Sequence, residues 1–230
     1  MTKGLNPNAP MKDSGVEWLG EVPEHWDTLP LKHICRIERG KFSHRPRNDP
    51  SFYGGEYPFI QTGDITSAAK TIKTWAQTLN DRGASVSRSF KKGTIVISIA
   101  ANVGDVAILG IEAYFPDSII GCQPEARVEQ EFLYYLLRSA KSEISRSGSI
   151  NTQANVNAEQ LGGIIVCLPP LNEQQEIVDR LNEEESQRDK IATACATAIQ
   201  LLNERRSALI SAAVTGQIDV RGLVMEAIEQ

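Results

Sequence analysis

The sequence predicts an α+β protein with a globular domain up to about residue 170 and one long C-terminal α-helix. Short apolar runs rich in β-branched residues, at 57–60, 94–100 and 106–109, indicate strands in the first part. From Asn172 to Val214, apolar residues recur in alternating steps of four and three without proline or glycine, which is typical of a helix. A chain of 230 residues, 41% hydrophobic and 23% charged, has room for one sizeable core and such a helix.

Composition argues against several classes of protein. No apolar stretch approaches the roughly 20 residues that a bilayer crossing requires, and the polar start lacks the apolar core of a secretory signal. We therefore expect a cytoplasmic protein with no membrane partner. The four cysteines, Cys35, Cys122, Cys167 and Cys195, show no CxxC pair, so we expect reduced, buried thiols and neither metal nor cofactor.

Local patterns predict the elements of the first part in order. Residues 16–26, where tryptophans alternate with glycine and proline, predict an aromatic-anchored loop packed on the core. Residues 41–56 hold two prolines and a glycine pair, which predicts an exposed loop. The runs 94–100 and 106–109 flank turn residues and predict a β-hairpin.

Helical spacing begins after these strands. Apolar residues at 129–146 follow the helical period and predict an amphipathic helix. A polar loop at 147–157 and a strand at 164–168, ended by two prolines, are expected next. Asn172 and Gln175 have the spacing of a capping box, so the long helix is expected to begin at Asn172, and Gly216 is typical of the residue that ends one.

The long helix carries a heptad seam. Its a and d positions are Ile177, Leu181, Glu184, Arg188, Ile191, Cys195, Ala198, Leu202, Arg205, Leu209 and Ala212. A helix of roughly 60 Å is longer than a small domain is wide, so we expect it to pair with a second copy as an antiparallel coiled coil. The expected dimer contacts are Ile177, Leu181, Ile191, Cys195, Ala198, Leu202 and Leu209. The alternative is a surface helix that lies on its own domain.

Charge distribution matters more than net charge for the choice of partner. The net charge of −5 disfavours nucleic acid, but the acidity is concentrated at 173–189, whereas 32–47 carries six cations against one carboxylate. We expect DNA contacts from side chains that suit phosphates or base edges. The candidates are Lys41, Ser43, His44, Arg45, Arg47 and Asn48, then Arg88, Lys91 and Lys92, and finally Ser149, Asn151 and Gln153. A solvated loop is the alternative interpretation of each stretch.

Catalytic motifs are weak by comparison. The sequence has no glycine-rich nucleotide loop, no HExxH and no NPPY-type methyltransferase string. Pro116-Asp117 followed by Glu125-Ala126-Arg127 resembles a PD-(D/E)xK nuclease with arginine in place of lysine, which differs in geometry and pKa. The three histidines are scattered. We expect no catalytic residue, and the alternatives kept open are a nuclease and a coiled-coil interaction protein without DNA affinity.

Several stretches, in order along nearly the whole chain, resemble the specificity (S) subunits of type I restriction-modification systems. Residues 13–26 (DSGVEWLGEVPEHW) are similar to the entry of the family's target recognition domains, and residues 58–65 and 92–98 match further stretches. Residues 168–177 (LPPLNEQQEI) resemble the start of the family's long helix. Residues 202–210 and 213–219 (AVTGQID) resemble its end.

The resemblance implies a non-catalytic, half-length S subunit with one target recognition domain. It implies a recognition domain at 1–170, a coiled-coil helix at 171–216 for dimerisation and docking, and a tail at 217–230. The implied partners are double-stranded DNA, methyltransferase (M) subunits and restriction (R) subunits. Family members usually carry two such units in tandem, whereas this sequence has one and no internal repeat, so a natural half-subunit and a fragment of a longer chain both stay open.

Overall fold

A computed structural model describes residues 3–44, 48–148 and 156–218. It confirms the predicted α+β class, with a mixed sheet domain followed by one long helix. The contacts divide the chain after Asp179 into two compact units. Pairing of the helix with a second copy stays a prediction.

Short strands form the framework of the domain. In chain order the described residues contain β1 (Met11–Asp13), β2 (Glu21–Pro23), β3 (Asp27–Pro30), β4 (Cys35–Arg39), β5 (Tyr53–Phe59), β6 (Thr71–Ile72), β7 (Gln77–Leu79), β8 (Arg88–Phe90), β9 (Ile95–Ser98), β10 (Val106–Leu109), β11 (Ala113–Phe115), β12 (Ile119–Pro124) and β13 (Ile165–Leu168). Six helices accompany them: α1 (Thr62–Ser67), α2 (Asp81–Val86), α3 (Gln130–Ser139), α4 (Lys141–Gly148), α5 (Ala158–Gly163) and α6 (Leu171–Val214).

A five-stranded sheet in the order β4-β12-β9-β10-β6 holds the centre of the core. All residues of β9 are buried, which explains why its sequence is continuously apolar instead of alternating. The predicted hairpin is confirmed, since β9 and β10 pair antiparallel with Val106 opposite Ile97. The parallel pairing of β10 with β6 could not be predicted because β6 has only two residues.

A second sheet has the order β7-β5-β11-β8. Its strand β5 begins at Tyr53, so the end of the predicted loop 41–56 was wrong. The glycine pair concealed this strand. Gly54 has a φ of +81°, and the pairing with β7 shifts register between Tyr53 and Tyr57, so the glycines accommodate a bulge inside a strand.

The helix predicted at 129–146 is two helices. Ala140, with ψ near 4°, interrupts it between α3 and α4. Residues 132–137 of α3 are all buried, because this helix packs against strands β9 and β10. Helix α5 was not predicted, since it is short and fills the gap between the predicted polar loop at 147–157 and the predicted strand at 164–168.

Two two-stranded sheets, β1-β2 and β13-β3, involve the first and last strands of the domain. Strand β2 lies within residues 16–26, the region predicted as an aromatic-anchored loop, and pairs with β1 just before that region, so the region contains regular structure. Its anchors are buried as predicted, with Val22 and Trp26 at most 1% exposed. Strand β13 confirms the predicted run 164–168 and pairs antiparallel with β3.

The first turns of α6 are fastened to the domain by two neighbouring side chains. The Glu173 carboxylate accepts a hydrogen bond from Trp26 Nε1 at 2.6 Å and lies 2.7 Å from His25 Nε2. Gln174 is fully buried. The stretches 13–26 and 168–177, which carry the family resemblance at either end of the domain, are therefore in contact.

The ends of α6 follow the prediction except for one cap. The helix begins at Leu171, and Pro170 O accepts the first helical bond from Gln174 N at 3.0 Å, so Asn172 lies inside the first turn and is not the cap. At the other end Gly216 has a φ of +75°, the left-handed conformation expected of a residue that ends a helix.

Three of the four cysteines are buried as predicted, but Cys195 on α6 is exposed. A hydrogen bond with Cys35, together with burial, raises the pKa of Cys122. Burial raises the pKa of Cys167 to about 11. Both thiols therefore stay protonated and behave as small apolar side chains.

Candidate nucleic-acid interface

The predicted basic loop starts at the edge of the second sheet. Lys41 and Ser43 are exposed, whereas Phe42 between them is 2% exposed and bridges to Ser87. The alternation of exposed and buried side chains anchors the loop while presenting its polar groups. Arg45 and Arg47 lie outside the described residues, as do Ser149, Asn151 and Gln153 of the later polar loop.

His44 is held in place by its neighbours. Its ring stacks on Phe52 with centroids 3.9 Å apart, and Nε2 lies 3.2 Å from Asp49 Oδ2. Hydrogen bonds from the Ser51 amide and hydroxyl, and then from His44, lower the pKa of Asp49, which caps the following short 3-10 helix. These contacts fix the position of the His44 ring at this edge, and its contact with DNA stays a prediction.

Three cations lie close together here: Arg39 ends β4, Lys41 is in the loop that follows, and Arg88 begins β8, where its amide donates to Lys41 O at 3.1 Å. The Arg88 guanidinium donates to Arg39 O at 2.7 Å, Arg39 Nε donates to Asp117 O at 2.6 Å, and Lys41 N donates to Phe115 O at 3.0 Å. Among the described residues, the side chains of Arg39, Lys41 and Arg88 form no ion pair with a carboxylate. Their charges are therefore available to an anion, although Arg39 was missed as a candidate.

Lys91 and Lys92 occupy a different place. Both are exposed in the turn that follows β8. Lys92 borders a concavity beside α3, together with Gln130 and Glu131. The structure therefore groups Arg88, but not Lys92, with the cations at the start of the loop.

Beside the three cations lies a cleft of about 530 Å³, here called the amide cleft. Three aromatic rings line it, Phe42, Tyr53 and Phe59, together with the amides of Asn48, Gln61 and Gln77. The rest of the lining consists of two hydroxyls and two prolines, which are Thr62, Ser118, Pro50 and Pro116. The rings of Phe42 and Phe59 lie 5.4 Å apart and belong to a buried apolar cluster with Phe52 and Leu79. Of these residues, only Asn48 was predicted to contact DNA.

Strand pairing brings the two glutamines of the cleft together. Phe59 of β5 lies opposite Gln77 of β7, so Gln61, two residues further on, reaches the same edge. The Gln61 side-chain amide donates to Gln77 Oε1, which fixes the two amides relative to each other. Gln61 N also donates to Asp64 Oδ2 at 2.8 Å, and this bond orients the start of α1.

The other end of α1 is held by Asp105. Its carboxylate accepts hydrogen bonds of 2.6 Å from both Thr66 and Lys141. Burial alone raises the pKa of Asp105, but the hydrogen bonds from Lys141 and Thr66 and the Lys141 charge together lower the pKa below its ordinary value. Asp105 thus links α1, the β9–β10 turn and α4.

Asp105→Asn is expected to lower the free energy of unfolding by about 1–2 kcal/mol at pH 7, because it removes charge-assisted hydrogen bonds. A carboxyl whose pKa is lowered on folding stabilises the fold above its unfolded pKa, about 3.9, and loses that contribution as pH falls through the folded pKa. The difference between the two proteins should therefore shrink below about pH 4. Urea unfolding from pH 7 to pH 3 measures it, and a difference independent of pH would contradict the role of the charge.

The nuclease-like motif does not form a site. Asp117 precedes β12 and Glu125 follows it, so the length of that strand, roughly 20 Å, separates them. Carboxylates at opposite ends of a strand cannot bind one metal ion. Among the described residues, no group of three or more His, Cys, Asp or Glu side chains is arranged to hold one.

The predicted dimer contacts differ in exposure, and Leu181 is half-buried. Ile177 is 3% exposed and packs within the domain, so it has little surface left for a second copy. Ile191, Leu202 and Leu209 are 64%, 63% and 49% exposed in the single chain, and Cys195 and Ala198 between them are exposed as well. The polar seam residues Glu184 and Arg188 pair with each other at 3.8 Å.

Comparison with known proteins places most of the chain in one family. Residues 23–194 match the family described as the type I restriction modification DNA specificity domain. The chain is 25% identical over 199 residues to the specificity subunit of the type I restriction enzyme EcoDI from Escherichia coli, covering 86% of this chain and 40% of that protein. It is 24% identical over 251 residues to the MjaVIII specificity subunit of Methanocaldococcus jannaschii, covering 96% and 52%.

Solved structures share the fold. A chain from a type I R-M system, studied for complex assembly and conformational transition, superposes with a TM-score of 0.70 at 21% identity, covering 91% of this chain and 48% of that one. The HsdS subunit from Thermoanaerobacter tengcongensis gives 0.60 at 20% identity, covering 80% and 42%. The chain thus spans about half the length of its relatives. No helix in the described part of the chain has the length and hydropathy of a membrane span.

Proposed function

The chain belongs to the type I restriction-modification DNA specificity family, and we propose that it is a non-catalytic subunit that recognises double-stranded DNA for partner subunits. The observation that carries this proposal is the amide cleft beside Arg39, Lys41 and Arg88. Cations that form no ion pair with a carboxylate of the described residues suit phosphates, and amides with aromatic rings suit base edges. The acidic net charge is compatible with this role because the acidity is concentrated at 173–189.

Recognition is assigned to the domain up to about residue 170, and assembly to the helix at 171–216. The exposed apolar side chains Ile191, Leu202 and Leu209 support pairing of this helix with a second copy as an antiparallel coiled coil. A symmetric dimer would present two identical recognition domains, so its target would be an interrupted palindrome.

The proposed partners are the M subunits, which methylate adenine, and the R subunits, which cut DNA. Docking of M subunits is assigned in part to α6, and the complex is expected in the cytoplasm. Because the chain spans about half the length of its relatives, either a second copy or a second half of a longer chain would complete the unit. Co-expression with an M subunit, followed by mapping of methylated adenines, tests the assembly directly.

Lys41→Gln together with Arg88→Gln is expected to weaken DNA binding and to flatten its salt dependence. Each phosphate contact contributes about 0.9 to the slope of log affinity against log salt, so the slope should fall by roughly 1.8. Gel shifts between 50 and 200 mM salt with the purified full chain measure this. Lys73→Gln, a change at an exposed lysine outside the cation group, is the matched control.

The gel shift, together with an activity assay on the purified chain, separates the rival functions. Salt-independent or undetectable binding by the unmodified chain would favour a coiled-coil interaction protein. Cleavage or methylation of DNA by the chain alone, with Mg²⁺ and a methyl donor, would favour an enzyme. An unchanged slope in the double variant would remove these two cations from the interface.

A further inference from the structure

The amide cleft has a chemistry more specific than general affinity for DNA. Gln61 and Gln77 are exposed and the Tyr53 ring is half-buried, so these three side chains can reach a ligand. Phe42 and Phe59, at 2% and 3% exposed, pack against Tyr53 with ring centroids 6.0 and 6.1 Å away, and the three rings form an aromatic wall. A site with two amides in front of an aromatic wall offers paired donors and acceptors next to an apolar surface. Amides alone or an apolar patch alone are common at protein surfaces. Their combination restricts the chemical class of ligand that the cleft can bind.

The two glutamine amides act as one unit. The hydrogen bond from Gln61 to Gln77 Oε1 leaves further N–H groups on both amides, and β5–β7 pairing fixes where the amides stand. A preorganised amide loses less conformational entropy on binding than a free side chain does. The site is therefore suited to discrimination between ligands.

The cations beside the amide cleft indicate that its ligand is an anion. Lys41 adjoins Phe42 of the cleft, and Arg39 is bonded to the carbonyl of Asp117, which stands between the cleft residues Pro116 and Ser118. A ligand in the cleft thus passes positive charge that no carboxylate of the described residues neutralises. DNA meets this requirement, since its phosphates flank the base edges.

We propose that the amide cleft reads an A·T base pair through the major groove, with Gln61 and Gln77 on adenine and the Tyr53 ring of the aromatic wall on the thymine methyl group. Glutamine pairs with adenine N6 and N7, and apolar side chains contact the C5 methyl of thymine. Both groups belong to one base pair and face the same groove. The inference rests on the proposed function and adds to it the base pair and the residues that select it.

The test is selection of duplexes from a random library by the full chain, followed by sequencing. The wild-type motif should contain an A·T position whose preference falls about tenfold to a hundredfold in the Gln61→Ala, Gln77→Ala double variant. The other positions and the salt dependence should stay unchanged, since the cations remain. Gln175→Ala, at an exposed amide bonded to Asp179, is the control and should leave the motif intact.

A second measurement separates base reading from structural support. Replacing the selected adenine with 7-deazaadenine removes the N7 acceptor, and replacing its thymine with uracil removes the methyl group. Each should weaken the wild-type chain several-fold, and the deaza analogue should have no further effect on the double variant. Thermal unfolding should show the double variant folded, because both side chains are exposed.

The outcomes distinguish failure of the proposed function from failure of this inference alone. A wild-type chain that selects no sequence would overturn the proposed function and this inference with it. A selective wild type whose motif persists in the double variant, or a deaza effect equal in both proteins, would overturn the inference alone. Loss of preference at one A·T position, with coupling to N7, would establish the amide pair as the reader.

Discussion

Replacing Leu202 with glutamate is expected to keep the chain monomeric at micromolar concentration while the fold of the single chain persists. Leu202 is 63% exposed in the single chain, so a carboxylate there costs little before association. In a symmetric coiled coil both copies would bury an unpaired carboxylate at the seam, at a cost of several kcal/mol. The dissociation constant of the dimer should therefore rise at least about a hundredfold.

Sedimentation velocity over a concentration series measures this effect. Ser207→Glu is the matched control, because this exposed position lies on the helix face opposite the a and d seam and should leave association unchanged. A dimer that persists in Leu202→Glu would show that self-association does not use this seam. Ile191→Glu, eleven residues earlier on the seam, should reproduce the result.

Gln174→Leu is expected to destabilise the domain by about 3–5 kcal/mol, because it leaves buried backbone groups without partners. Gln174 Nε2 donates to Pro169 O at 2.9 Å and to Arg127 O at 3.0 Å, and Oε1 accepts from Glu129 N at 2.8 Å. The side chain is fully buried, so water cannot replace these bonds without entering the core. Leucine has a similar size but satisfies none of them.

Urea unfolding followed by circular dichroism measures the loss. Gln175→Leu changes the neighbouring exposed amide, whose side chain bonds only Asp179 among the described contacts, and should shift stability by less than about 0.5 kcal/mol. A Gln174→Leu protein within about 1 kcal/mol of the wild type would show that the three bonds contribute little beyond packing. Far-ultraviolet spectra of both variants would show whether α6 itself persists.

Local patterns were sufficient for the long helix, which repeats with the heptad period, and for the β9–β10 hairpin, whose two apolar runs flank turn residues. The amide cleft could not be predicted, because Gln61 and Gln77 meet only through the pairing of β5 with β7. Part of β5 was concealed by Gly54 and Gly55. Prediction of a polar, basic loop therefore found a cation beside the cleft and Asn48 in its lining, and missed its two glutamines.

Burial was harder to predict than helix formation. The heptad pattern runs unbroken through Ile177, yet that residue packs within the domain, whereas Cys195 is exposed. Periodicity identifies which face of a helix is apolar, but the identity of the neighbour depends on tertiary contacts. Gln174 illustrates the same limit, since a glutamine in a polar stretch gives no sign that it is fully buried.

The exposure of α6 makes this helix sensitive to proteolysis when no partner is bound to it. Beyond its first turns this helix is supported mainly by bonds within itself, such as Arg180 to Glu184 at 3.1 Å, and isolated helices held in this way are marginal in water. Its order then depends on how much partner is present, because binding of the folded form shifts the equilibrium by mass action. A chain with nothing bound to this helix is therefore expected to be cut by a protease first along this segment.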